Sequence, residues 1–78
     1  MEIRYSVNTR SLKIAMVSAG FDSKSAFAQA AKISNRTVSS ILRGKNPTYL
    51  IMSRMTMALK LTPQQAARIF FADKLLNV

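Results

Sequence analysis

The residues best placed to do chemistry in this 78-residue chain lie in the stretch 24–44, KSAFAQAAKISNRTVSSILRG. From Ser34 onward, Val38, Ile41 and Leu42 recur at helical spacing and form an inward stripe. The outward side then carries Asn35, Arg36, Ser39, Ser40 and Arg43, polar and compact with no acid among them. Such a face exchanges hydrogen bonds and attracts polyanions, so this helix is expected to read DNA. Catalysis finds no comparable set. With no histidine and no cysteine, the chain lacks the commonest general base and any thiolate metal site. Its three acids, Glu2, Asp22 and Asp73, are scattered, and its two glycines, Gly20 and Gly44, build no phosphate loop. An enzyme is not expected, nor a metal or other cofactor.

The elements that must position this face can be read from caps and periodicity. Ser34 is a natural N-cap for the second helix of the stretch, and the first helix, AFAQAAKI, turns Phe27, Ala28 and Ala31 inward. Upstream, Leu12, Ala15, Met16 and Ala19 fall at helical spacing behind Asn8 or Thr9, with Ser11 a later alternative cap. Gly20 stops that helix, Phe21 tucks inward, and Asp22 and Ser23 compete to cap the next. Downstream, Pro47 sets a loop and Thr48 caps a fourth helix over 49–60, with Tyr49, Met52, Met55, Thr56 and Leu59 on one face. Met52, Met55 and Met57 read as fillers of irregular core gaps rather than as an adaptable binding surface. Thr62-Pro63-Gln64-Gln65 spells a capping box with proline at the first helical position, and the fifth helix stripes Ala66, Ile69 and Phe70.

These pieces predict an all-α, compact five-helix bundle, a single domain over 1–78. Residues 1–7 alternate Ile3, Tyr5 and Val7 against polar neighbours, which suits a short N-terminal β-strand or an extended arm over 1–8. The tail, 72–78, adds Leu75, Leu76 and Val78. Phe71 and Leu75 fall on a second apolar face of the last helix. Ile3, Tyr5, Val7, Phe71, Leu75 and Leu76 are therefore expected to support self-association.

Twelve Lys and Arg against three Asp and Glu give a formal charge of +9, which favours nucleic acid first and an anionic membrane second. No apolar run approaches transmembrane length and no signal-peptide pattern opens the chain, so a cytoplasmic protein is expected.

The ordered set Phe27-Ala28, Ile33-Ser34, Thr37-Val38, Ile41 and Gly44, followed by Asn46-Pro47, Ala58-Leu59 and Leu61-Thr62-Pro63, resembles the phage repressor and Cro-like helix-turn-helix family, also called XRE. The resemblance covers about 12–70. It implies that 24–44 is the helix-turn-helix motif and that its second helix enters the major groove with its N-terminal part against base edges. Asn35, Arg36, Ser39 and Ser40 would then read bases. Arg36 leads them because its planar fork can give two hydrogen bonds to guanine, and Asn35 suits adenine or a phosphate. Lys24, Ser25, Arg43, Lys45, Asn46 and Thr48 would hold phosphates, which set register and salt dependence. Lys13, Arg54, Lys60, Arg68 and Lys74 read as ordinary surface charge, and Arg4 and Arg10 as minor-groove or backbone contacts of the arm. The family usually has glycine where this chain has Lys32, and a left-handed lysine there costs roughly 1 kcal/mol or more.

The function expected is that of a sequence-specific double-stranded DNA-binding regulator, a Cro-type phage or mobile-element repressor. It would act as a homodimer on half-sites about one helical turn, roughly 34 Å, apart. With no second domain in the chain, the dimer interface is expected from the arm or the C-terminal helix. The alternative is a protein-interaction module of the same fold, a phage modulator or antirepressor that joins a repressor, or an antitoxin that holds a toxin. A membrane-active peptide does not fit caps and turns that specify a folded domain.

Overall fold

A computed structural model describes residues 7–71. Among them are five helices and no strand: α1 Thr9–Ser18, α2 Lys24–Ala31, α3 Asn35–Leu42, α4 Tyr49–Leu59 and α5 Pro63–Phe70. Residues 1–6 of the expected N-terminal strand or arm and residues 72–78 of the tail lie outside the described residues, and with them Ile3, Tyr5, Leu75 and Leu76.

Each helix opens on a side-chain oxygen that takes an otherwise unpaired backbone N–H three residues on. Asn8, rather than Thr9 or Ser11, caps α1, and Ser23, rather than Asp22, caps α2. Ser34, Thr48 and Thr62 cap α3, α4 and α5, the last as the full capping box. Four of the five helices also end alike, and only α5 closes differently, with Phe71 N–H on the Ala67 carbonyl. After α1, α2, α3 and α4 the chain closes paired bonds back onto the last turn, as in Phe21 N–H to the Met16 carbonyl and Ile33 N–H to the Ala28 carbonyl. This closure needs a left-handed residue, and two of the four positions hold glycine, Gly20 at φ 90° and Gly44 at φ 109°. A Cβ at either would meet nothing within 4 Å, so backbone conformation and not crowding favours glycine there.

The other two left-handed residues are lysines, Lys32 at φ 60° and Lys60 at φ 55°. The strain anticipated at Lys32 is thus present, and Lys60 repeats it. At Lys32 the fold supplies a brace: the Arg54 guanidinium of α4 donates to the Lys32 carbonyl at 3.1 Å. Arg54 is therefore not ordinary surface charge. It ties the turn between α2 and α3 to α4. Lys32→Gly is expected to stabilise the fold by about 1 kcal/mol. In a domain of this size that raises the melting temperature by roughly 4–8 °C, read by circular dichroism. A variant that melts no higher than the parent would show that the brace or the local chain has already relieved the strain.

The core gathers from all five helices: Leu12 and Met16 of α1, Phe27, Ala28 and Ala31 of α2, Val38 and Ile41 of α3, Met52, Met55 and Leu59 of α4, Ile69 and Phe70 of α5. Phe21 tucks in after α1 and meets Phe27 edge to face, ring centres 5.4 Å apart. Val7 joins this core at 8% exposure, and the next amide, Asn8 N–H, donates to the Ile69 carbonyl at 2.7 Å. Val7 therefore serves the chain's own interior, which removes it from the self-association set. Phe71 is half-buried against the same core. Two residues of α4 depart from expectation. Tyr49 is 83% exposed and Met57 76% exposed, while Met52 and Met55 fill the core as read.

α2 packs against α3 and α4, and α1 against α3 and α5, so among the described residues α3 rests mainly on two helices and leaves one long side exposed.

Candidate nucleic-acid interface

That exposed side is the polar arc of α3. Val38 and Ile41 anchor the helix inward and Leu42 is half-buried, which fixes its rotation. Asn35, Arg36 and Arg43 are exposed, and Ser39 and Ser40 are partly so. Helical geometry puts these five on one continuous arc.

The start of α2 lies beside this arc and grips it at two points. Asn35 Nδ2 donates to Ser25 Oγ at 2.9 Å, and Lys24 Nζ donates to Ser39 Oγ at 3.3 Å. Each bond joins one expected phosphate contact to one expected base contact, so the two sets form one structure. The bond to Ser25 also settles what Asn35 offers. Its carbonyl oxygen is left to accept and one amide hydrogen to donate, while Ser25 keeps its hydroxyl hydrogen for an acceptor such as a phosphate oxygen. Ser34 and Thr37 close the first turn of α3 with hydroxyls 2.8 Å apart. Arg36 makes no hydrogen bond among the described residues. Its fork is therefore uncommitted and ready for an external partner.

Two grooves flank the arc. On one side a groove of about 460 Å³ collects Lys13 of α1, Lys24 of α2, and Ser39 and Arg43 from α3 and its C-cap, over a floor that includes Met16, Phe21 and Leu42. Asp22 sits on the same rim and offsets part of that charge. On the other side a groove of about 260 Å³ is lined by Arg36 and Ser40 of α3 with Lys45, Asn46 and Thr48 of the following loop. Thr48 already gives its oxygen to the Ile51 N–H at 3.3 Å, so it serves the cap first and a phosphate only through its hydroxyl hydrogen. The expected base and phosphate residues are thus all brought to α3 and its two margins. Lys13 was missed: it read as idle surface charge on its own helix, and only the meeting of α1, α2 and α3 places it beside Lys24 and Arg43. Nothing in the spacing along α1 could have shown that.

A double-stranded DNA major groove is walled by two phosphate strands, and an inserted helix needs cations on both of its margins. The arrangement around α3 matches this chemistry. Comparison with protein-family models, curated proteins and solved structures gave no match. The site therefore rests on its own geometry. Among the described residues no helix is long and apolar enough to cross a membrane.

Proposed function

We propose that this chain is a sequence-specific double-stranded DNA-binding transcriptional regulator, a Cro-type phage or mobile-element repressor that works in the cytoplasm as a homodimer. One observation carries the reading: an acid-free arc of Asn35, Arg36, Ser39, Ser40 and Arg43, flanked on both sides by cation-bearing grooves. Arg36 and Asn35 supply directional hydrogen bonds for base edges, and the serines let the duplex come close. Lys13, Lys24, Arg43 and Lys45 supply the sequence-independent attraction. The resemblance to Cro-like repressors agrees with this division. Repression follows from occupying promoter DNA.

Selection of bound duplexes from random DNA at a stated salt concentration tests the reading. A single enriched sequence, present as two half-sites, is the expected outcome. Lys45→Ala should leave the selected sequence unchanged while flattening the dependence of log K on log salt by about 0.9 per chain. Absence of any enrichment would sink the proposal. The second reading, a protein-interaction module of the same fold, has one observation in its favour, the exposed Tyr49 and Met57 on α4. Under that reading the chain stays monomeric by light scattering and binds no DNA at moderate salt until a partner regulator or toxin is added.

A further inference from the structure

We infer that the groove holding Lys13, Lys24 and Arg43 beside α3 is also a binding site for a small organic anion, one acidic head on a flat apolar body, and that such a ligand displaces DNA. The site itself is measured without DNA. Only the displacement rests on the DNA reading above.

The first part of the argument is the floor. DNA phosphates account for the cations of this groove but not for what lies between them. Met16, Phe21 and Leu42 line the bottom, and Val17, 73% exposed, stands with them although no core contact calls for a hydrophobe there. Phosphate oxygens take hydrogen bonds and ion pairs and gain nothing from hydrocarbon surface. An anion joined to an apolar body uses both parts. The aromatic ring of Phe21 and the polarizable thioether of Met16 suit a flat, unsaturated body best. Size points the same way. Small-ligand sites typically enclose about 300–1,000 Å³. This groove, about 460 Å³, falls in that range, and the groove on the other margin of α3, about 260 Å³, does not. No residue of α5 lines it, whereas the described chain begins beside Ile69 of α5 and ends just after that helix.

The second part is the head. Lys24 Nζ donates to Ser39 Oγ at 3.3 Å, which holds the ammonium against the α3 wall. Ser39 accepts that bond, so its own hydroxyl hydrogen is left for an acceptor. Arg43 adds a planar fork that matches a carboxylate or phosphate, and Lys13 faces them from α1. Asp22 offsets one of the three cations, and the rest suffice for one carboxylate or phosphate group. A head seated there occupies the cations that DNA phosphates need. The ligand and the duplex therefore compete.

Amide shifts of the isotope-labelled full chain, titrated with 1-naphthyl phosphate at fixed ionic strength, test the inference. Saturable shifts are expected at Val17, Phe21, Ser39 and Arg43. Inorganic phosphate lacks the body and 1-naphthol lacks the head, so each should bind roughly tenfold more weakly. Val17→Ser, at an exposed position, should keep the parent's melt and its DNA affinity while weakening the probe by roughly threefold. Lys13→Ala should weaken both. Lys60→Ala with Arg68→Ala, in the separate groove between α1 and α5, should leave the probe unaffected. Shifts that do not saturate, equal binding of inorganic phosphate, or loss through Lys60 and Arg68 instead would overturn the site. Saturating probe should lower duplex affinity severalfold in the parent, more than inorganic phosphate at the same ionic strength. An unchanged duplex affinity would overturn the competition. A parent that binds the probe and no duplex would count against the DNA reading and leave the site standing.

Discussion

Arg36→Ala is expected to weaken binding to the selected operator by about 1–3 kcal/mol per half-site, roughly 5- to 150-fold, while non-specific duplex binding falls far less. The size of the difference comes from what Arg36 is free to do. It sits in the first turn of α3, exposed, with no hydrogen bond among the described residues, so its removal should change stability by no more than about 0.5 kcal/mol. What is lost is a planar fork able to pair two acceptors on one base edge. Arg36→Lys sharpens the test, since it keeps the charge and removes the fork. A lysine variant that retains non-specific affinity but loses discrimination places the effect in geometry. Titration against operator and scrambled duplexes at one salt concentration supplies both numbers. Equal losses on the two duplexes would make Arg36 a phosphate contact and leave base readout to Asn35 and the serines.

Much of this arrangement was legible in the chain because caps are local. Ser34, Thr48 and Thr62 announce their helices by a hydroxyl placed one residue before a periodic run, and each does in the structure what that position predicts. Competing caps were not resolvable the same way. Asn8 against Thr9, and Ser23 against Asp22, differ by one residue of helix rotation, which only packing decides. Tyr49 shows a second limit. Counting back one turn from Met52 puts it on the core face, but a side chain in the first turn leans towards the helix N-terminus and here projects past the edge of the core. Met57 lies two residues from buried Met55, on the far side of α4, and its kinship with the other methionines was one of type and not of spacing. Left-handed positions are legible when they hold glycine. Lys60 gave no such signal, and its role emerged only from the Leu61 N–H closing onto the Thr56 carbonyl. The site was legible along α3 and opaque across helices. The grip of Asn35 on Ser25, the brace from Arg54 to Lys32, and the place of Lys13 all join residues that are distant in sequence.

Phe27→Ala is expected to cost about 3–5 kcal/mol, the largest single effect on the molecule. The ring is fully buried, packs edge to face on Phe21, and belongs to the helix that holds both Asn35 and Ser39 in place. A domain of this size has a total stability of roughly 4–12 kcal/mol, so the variant stands at or near its unfolding threshold at room temperature. Phe27→Leu, closer in volume, should cost less than about 2 kcal/mol and remain folded. The pair of variants also separates a packing role from a binding one. DNA that engages only the native chain stabilises it by about 2.7 kcal/mol when present at one hundred times its dissociation constant. Operator DNA should therefore raise the melting temperature of Phe27→Ala and restore its helical signal, and a scrambled duplex at the same concentration and salt should do so much less. Rescue of equal size by both duplexes would mean that charge alone couples binding to folding. Failure of both duplexes to rescue would mean that the variant's native state no longer binds DNA, so that the ring shapes the arc of α3 itself and not only the stability beneath it.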